Sequence, residues 1–212
     1  MKYVISDLHG CYDKFIKMLE LIEFKQEDIM YILGDVIDRG EDSIKLLQYI
    51  MKQSNMELLM GNHCEMMLQA LVNQESGYYS CWMSNGGYST LNQFNKLSPT
   101  RQEEILAYLQ TLKLYKIVDN FMLVHAGVDF ESGVNQIRET LLWARDEFIE
   151  SNLRFQDKIV IFGHSPTHYM QPKIKPMKIW HGKGKIGIDC GCVFNGGQLG
   201  CLRLDDMEEF YV

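Results

Sequence analysis

Five short apolar runs in this chain, Tyr3–Ile5, Ile29–Leu33, Glu57–Met60, Phe121–Val124 and Ile159–Phe162, each give way within two residues to a carboxylate, an amide or an imidazole. Runs of this length with bounded ends suit buried strands rather than helices. The groups that follow them are Asp7 and His9, Asp35, Asn62 and His63, His125, and His164. In α/β proteins functional groups gather outside the carboxyl ends of strands, so residues spread over most of a chain can converge. Two residues apart on extended backbone, Asp7 and His9 point to the same side.

Between the runs, Tyr12, Phe15, Ile16, Leu19 and Ile22 are spaced for one face of a helix, and Ile44, Leu47 and Ile50 repeat the pattern. A further helix is expected from Ser98-Pro99, with proline in its first turn, Thr100 and Glu103 as a capping box, and Ile105, Leu106, Leu109 and Leu112 on its apolar face. After Pro176, short pieces separated by glycine read as a run of hairpins: Ile179–His181, Gly182–Lys185, Ile186–Ile188 and, past Asn195-Gly196-Gly197, Leu199–Leu204. Alternating strands and helices followed by antiparallel strands predict an α/β layered fold with a mixed sheet or two sheets. One domain over residues 1–212 is expected at this length. The glycine- and aromatic-rich stretch around Tyr78–Tyr88 breaks the strand pattern and predicts a mostly helical insertion over about residues 77–114.

Composition narrows the function classes. A formal net charge of -7 should repel polyanions, so nucleic-acid binding is not expected and an anionic substrate must be attracted locally. Lys173, Lys175, Lys178, Lys183 and Lys185 are the local exception, expected to line a solvated hairpin rim. No apolar run approaches the ~20 residues that span a bilayer. Met1 leads straight into a strand, leaving no room for a secretory leader, so a soluble cytoplasmic protein with no membrane partner is expected. Cys11, Cys64, Cys81, Cys190, Cys192 and Cys201 lack the C-x-x-C pairing of a zinc site and are expected to be free thiols.

Taken singly, a histidine after a strand is an ordinary hydrogen-bonding residue and a Gly-Asp is an ordinary turn. Taken together, the strand ends supply two carboxylates, one amide and three imidazoles before His63 is counted. Burying such a set without cations would leave costly unpaired polar groups. Oxygen and nitrogen donors without thiolate suit manganese, iron or zinc better than calcium. Six ligating side chains exceed the needs of one tetrahedral ion, whereas two ions bridged by an aspartate would use them all.

Ser6-Asp7-Leu8-His9-Gly10, Gly34-Asp35-Val36-Ile37-Asp38-Arg39-Gly40, Gly61-Asn62-His63, Val124-His125-Ala126-Gly127 and Gly163-His164 resemble, in order and spacing, the phosphoprotein phosphatase branch of the calcineurin-like metallophosphoesterases. Trp82–Gly87, Trp143-Ala144-Arg145 and Ile188-Asp189-Cys190-Gly191 look like the compact bacterial and phage members, of the bacteriophage lambda protein phosphatase type and including relatives that cleave diadenosine tetraphosphate. The resemblance implies a four-layer α/β/β/α sandwich with two mixed sheets. It implies one divalent ion on Asp7, His9 and Asp35 and a second on Asp35, Asn62, His125 and His164, with manganese expected and iron or zinc as alternatives. By the same resemblance Arg39, Arg145 and Asn62 bind phosphate, His63 protonates the departing alkoxide, and Asp38 orients His63. A bland alternative for Arg145 is a helix-end salt bridge.

The implied activity is serine/threonine protein phosphatase, acting on a phosphoprotein or small phosphate ester. Two alternatives stand beside it, a bis(5'-nucleosyl)-tetraphosphatase acting on diadenosine tetraphosphate and a noncatalytic scaffold of the same fold. The chain departs from the family pattern at Ser6, where glycine is usual, and at Cys64, where glutamate is usual and Glu65 follows one place later. Tyr78, Tyr79, Trp82 and Tyr88 are expected to pack the helical segment, with stacking against an adenine as the alternative.

Overall fold

The computed structural model describes residues 1–74, 76–133 and 135–212. Strand and helix alternate first: β1 (Lys2–Ile5), α1 (Tyr12–Leu21), β2 (Ile29–Ile32), α2 (Ser43–Met51), β3 (Met56–Leu58) and α3 (Asn62–Leu71). A helical stretch follows, α4 (Ser76–Trp82), a π-helical turn at Met83–Gly87, α5 (Tyr88–Phe94) and α6 (Pro99–Gln110). The hairpin of β4 (Tyr115–Val118) and β5 (Phe121–Val124) leads to two short helices, α7 (Arg138–Trp143) and α8 (Asp146–Glu150), and then to β6 (Ile159–Phe162). Two more hairpins close the chain, β7 (Trp180–Gly182) with β8 (Lys185–Gly187), and β9 (Gly200–Arg203) with β10 (Glu209–Tyr211).

The strands form two mixed sheets, ordered β10-β9-β1-β2-β3 and β4-β5-β6-β8-β7. In the first, parallel β1, β2 and β3 run to one edge and antiparallel β9 and β10 complete the other, while in the second, parallel β5, β6 and β8 carry the centre and antiparallel β4 and β7 flank them. Successive side chains on a strand point to opposite faces, and the core divides accordingly. Val4, Tyr31, Leu33, Leu123 and Ile161 meet between the sheets. Tyr3, Ile5 and Ile32 turn the other way onto Phe15, Met18 and Leu47 of the first helical layer. Met122, Val124, Val160 and Phe162 face Leu141 and Phe148 of α7 and α8. Three apolar layers between four layers of elements make the expected α/β/β/α sandwich.

Several local expectations differ from the structure. Pro99 opens α6 with Ser98 before it, so Thr100 lies inside the first turn and the Thr100–Glu103 capping box does not form. The segment after β8 is not a hairpin: β8 pairs with β6 and β7, β9 pairs with β1 and β10, and Asn195-Gly196-Gly197 lies in a crossover between the sheets. The strand Tyr115–Val118 escapes the hydrophobic pattern because Lys116 interrupts it. Lys185 is no rim residue; its side chain is only 1% exposed. The six cysteines are unpaired, and no helix among the described residues is long and apolar enough to cross a membrane.

Candidate active site

The loops after β1, β2 and β6 leave their strands through left-handed backbone: φ is 50° at Asp7, 43° at His9, 43° at Asp35, 72° at Asp38, 68° at Arg39 and 61° at His164. Non-glycine residues pay roughly 1–2 kcal/mol for this conformation, so surrounding bonds must impose it. They do. His9 N donates to Asp35 O and Gly10 N to Val36 O, both at 2.9 Å, which ties the β1 loop to the β2 loop. Gly163 N donates to His125 O at 2.8 Å and ties the β6 loop to the β5 loop. At Gly61 a Cβ would fall 2.2 Å from Asp35 Oδ1, so glycine alone lets the start of α3 reach that carboxylate. The His63 amide then donates to Asp35 Oδ1 at 3.1 Å, on the side of the helix dipole that favours an anion.

Asp35 sits at the centre. Its Oδ2 lies 3.8 Å from His9 Nε2, 3.8 Å from His63 Nε2 and 3.5 Å from His125 Nε2. Two groups of ligand atoms form, His9–Asp35–His63 and Asp35–His125–His164, each within 4.8 Å and sharing Asp35. Asp7 belongs to neither group, and its Oδ2 accepts the His164 amide at 2.9 Å and the Ser6 hydroxyl. Asn62 Oδ1 lies 2.8 Å from His125 Nε2 and 3.1 Å from His164 Nδ1.

The donor set fits divalent ions. His9 Nδ1 donates to Ile37 O at 2.8 Å and His125 Nδ1 to Leu33 O at 2.7 Å, which turns the Nε2 of each ring toward Asp35. Anchoring the far nitrogen on a carbonyl is how metal-binding histidines are oriented. Asn62 Oδ1 sits against both rings, His125 and His164, and His164 Nε2 is buried without a hydrogen-bond partner among the described residues. Burial pushes His9 down to about 3 and His164 down to about 2, so both are neutral. Burial pushes Asp7 up, and the nearby Asp35 charge adds to it. Burial alone would raise Asp35 too, but the imidazoles around it, His125 and His63 foremost, hold it low. Convergent imidazole nitrogens and close buried carboxylates are what a cation satisfies.

Beside these groups stands an imidazole with its own carboxylate. His63 Nδ1 donates to Asp38 Oδ2 at 2.6 Å. Asp38 is fully buried and also accepts the Trp82 indole N–H at 2.9 and 3.1 Å and the Thr90 hydroxyl at 2.6 Å. Burial acts to lower His63, but Asp35 and Asp38 outweigh it and make the ring more basic than free histidine.

The family model described as calcineurin-like phosphoesterase matches residues 3–195. The chain belongs to the calcineurin-like phosphoesterases. It is 26% identical to bis(5'-nucleosyl)-tetraphosphatase PrpE [asymmetrical] of Halalkalibacterium halodurans, over 97% of this chain and 90% of that one. It is 28% identical to serine/threonine-protein phosphatase 1 of Salmonella typhimurium, over 95% and 91%. Among solved structures, one assigned as a diadenosine tetraphosphatase shares the fold with a TM-score of 0.75 and 18% identity, over 100% of this chain and 92% of that one.

In this phosphoesterase the two arginines singled out by sequence flank the cluster. Arg39 Nη1 lies 2.5 Å from His9 Nε2, its Nη2 lies 3.0 Å from His63 Nε2, and its guanidinium carbon lies 5.9 Å from the centre of the Phe194 ring. Arg145 Nη1 donates to His164 O and Ser165 Oγ, both at 3.3 Å. It makes no ion pair among the described residues, so it is not the helix-end salt bridge of the bland reading. Trp82 was marked by its segment but not as a partner of Asp38, and Thr90 was not marked at all; α4, the π-helical turn and α5 bring them there. Of the other aromatics, Tyr78 packs on the core while Tyr79 and Tyr88 are 44% and 66% exposed. Cys64 is buried in the core behind the site, and Glu65 turns away to Arg138 and Gln69, accepting at 3.1 Å and 2.8 Å.

Proposed function

We propose that this phosphoesterase is a dinuclear-metal phosphomonoesterase of the serine/threonine protein phosphatase kind. The observation that supports it is the buried His63–Asp38 pair, 2.6 Å apart, beside Asp35. The alkoxide leaving a serine or threonine ester is strongly basic and needs a proton, whereas a nucleotide leaving an anhydride needs little. An imidazole backed by its own carboxylate is therefore of most use on esters of alcohols.

In this reading Asp7, His9 and Asp35 hold one ion and Asp35, Asn62, His125 and His164 the other, with manganese the expected metal and iron or zinc as alternatives. When bound, the ions polarise phosphoryl oxygens and acidify water into the nucleophile. Arg39, whose Nη1 lies 2.5 Å from His9 Nε2, would give up that contact to an ion held there and would have its N–H groups for phosphate oxygens. Arg145 approaches from the His164 side, and Asn62, whose Oδ1 faces His125 and His164, keeps its Nδ2 for a phosphate oxygen. His63 holds a proton at Nε2 for the departing oxygen while Asp38 fixes the ring.

A second reading, hydrolysis of diadenosine tetraphosphate by the same groups, is supported by the names of several relatives. Side-by-side turnover of a phosphoserine peptide and diadenosine tetraphosphate by manganese-loaded protein separates the two. The peptide should be favoured by roughly tenfold or more in kcat/KM, on the scale of general acid catalysis. Preference for the dinucleotide would install the second reading, and turnover of neither would leave a scaffold.

A further inference from the structure

The structure assigns Lys185 as the positioning residue for the phosphate contact of Arg145, an inference that rests on the proposed role of Arg145. Lys185 opens β8 and is 1% exposed, yet no carboxylate pairs with it among the described residues. Its Nζ donates to the carbonyls of Phe148 and Ser151, at 2.5 Å each, and lies 3.4 Å from that of Ile149. The Phe130 and Phe148 rings lie 5.1 and 5.0 Å away. The carbonyls of Phe148 and Ile149 belong to the last turn of α8 and that of Ser151 to its C-cap, groups a helix cannot pair internally, and a cation there also complements the dipole. An ammonium with three rotatable donors suits carbonyls converging from different directions.

Left to itself α8 would not hold its shape, because five residues are too few for a stable helix. Its position comes from two anchors. One is Gly127, two residues after His125, where a Cβ would fall 2.7 Å from the Phe148 ring and 2.8 Å from Ala144 Cβ, so the helix and its entry press directly on the His125 loop. The other is Lys185. Between the anchors Arg145 precedes the first residue of α8 with φ -137° and ψ -115°, and its side chain reaches His164 O and Ser165 Oγ. β8 pairs with β6, Ile186 opposite Ile161 and Gly187 opposite Phe162, so Lys185 is fixed to the strand that delivers His164. Lys185 therefore sets where α8 ends, and α8 sets where Arg145 begins.

The experiment compares Lys185→Met and Lys185→Gln, each alone and combined with Arg145→Ala, in manganese-loaded protein. Three readouts are taken: kcat/KM on an aryl phosphate, the inhibition constant of inorganic phosphate, and amide exchange over residues 146–151. Lys185→Met should speed exchange, raise the phosphate inhibition constant and lower kcat/KM by roughly tenfold or more, approaching Arg145→Ala. Lys185→Gln keeps two donors and should fall between; should Lys185→Met not fold, it carries the same comparison. With Arg145 already removed, either Lys185 change should alter kcat/KM by less than about twofold, because coupled residues are not additive. Faster exchange with an unchanged phosphate inhibition constant, or additive losses in the double variants, would overturn the assignment. If Arg145→Ala itself leaves phosphate inhibition at the wild-type value, the phosphate contact falls first and the inference goes with it, a result distinct from failure at Lys185 alone.

Discussion

Around β1, β2 and α3, hydrogen bonds run from group to group: Thr90, Trp82 and His63 donate to Asp38, Arg39 approaches His63 and His9, and His9 donates to Ile37 O. Around β5 and β6 the chain of bonds is incomplete: His125 Nδ1 donates to Leu33 O and Asn62 Oδ1 meets both rings, but His164 Nε2 is buried without a partner among the described residues. The two halves of the site thus differ in what completes them. The half around Asp38 has its polar groups paired by protein, while the half beside it keeps a buried imidazole nitrogen that a cation would satisfy.

Metal removal tests that contrast with the largest effect. Chelation should abolish turnover of an activated aryl phosphate, and readdition of manganese should restore it. The ion should also raise the thermal midpoint, since a ligand at about 100 times its Kd stabilises the native state by about 2.7 kcal/mol. Full activity in metal-stripped protein would break both the contrast and the proposed mechanism.

The next effect isolates the organised half. His63→Asn should retain both metals by elemental analysis and lower turnover of alkyl phosphates by roughly 10²-fold. The deficit should shrink as the leaving group becomes less basic. An equal loss across a leaving-group series removes His63 from the acid role.

Sequence exposed the two halves unequally. Asp7, Asp35, His125 and His164 were legible because each follows a short apolar run, and strand ends gather function. Asp38 was legible only through its resemblance. Trp82 and Thr90, which donate to it, come from a helical stretch whose internal φ of 95° at Gly86 obeys no simple period. Lys185 read as one more surface lysine, because a charge run does not reveal that one of its members is turned toward unpaired carbonyls.

Trp82→Phe should act on the same half more gently. It removes the indole N–H shared by both oxygens of Asp38 and keeps the buried ring. A lost hydrogen bond of this kind is worth about 1 kcal/mol, so turnover of a phosphoserine peptide should fall roughly fivefold. Tyr88→Ala, at a side chain 66% exposed, should leave turnover of peptide and dinucleotide alike unchanged. Loss of dinucleotide turnover alone in Tyr88→Ala would restore the adenine-stacking role.

The smallest expected effect lies where the halves touch. Glu65 on α3 pairs with Arg138 on α7, and so ties the helix that starts at Asn62 to the one that ends at Trp143. Burial acts to raise the Glu65 carboxyl, but hydrogen bonds from Arg138 and Gln69 outweigh it, and the folded-state pKa lies below the ordinary value of 4.5. A depressed carboxylate contributes stability that is present above its unfolded pKa and is lost as pH falls through the folded one. The Arg138 side chain is 50% exposed, so solvent screens the pair and its worth is about 1 kcal/mol at most. Arg138→Met keeps the apolar stem and should cost about that much at pH 7 by denaturant unfolding. The gap from wild type should close as the pH is lowered below the usual carboxylate range, where Glu65 is protonated in both proteins. Turnover should change by less than about twofold, because the ligand groups reach their places through strand-end loops rather than through this pair. A gap that persists at low pH would show that Arg138 acts by packing, and a large loss of turnover would show that the two halves depend on each other more than their separate hydrogen bonds indicate.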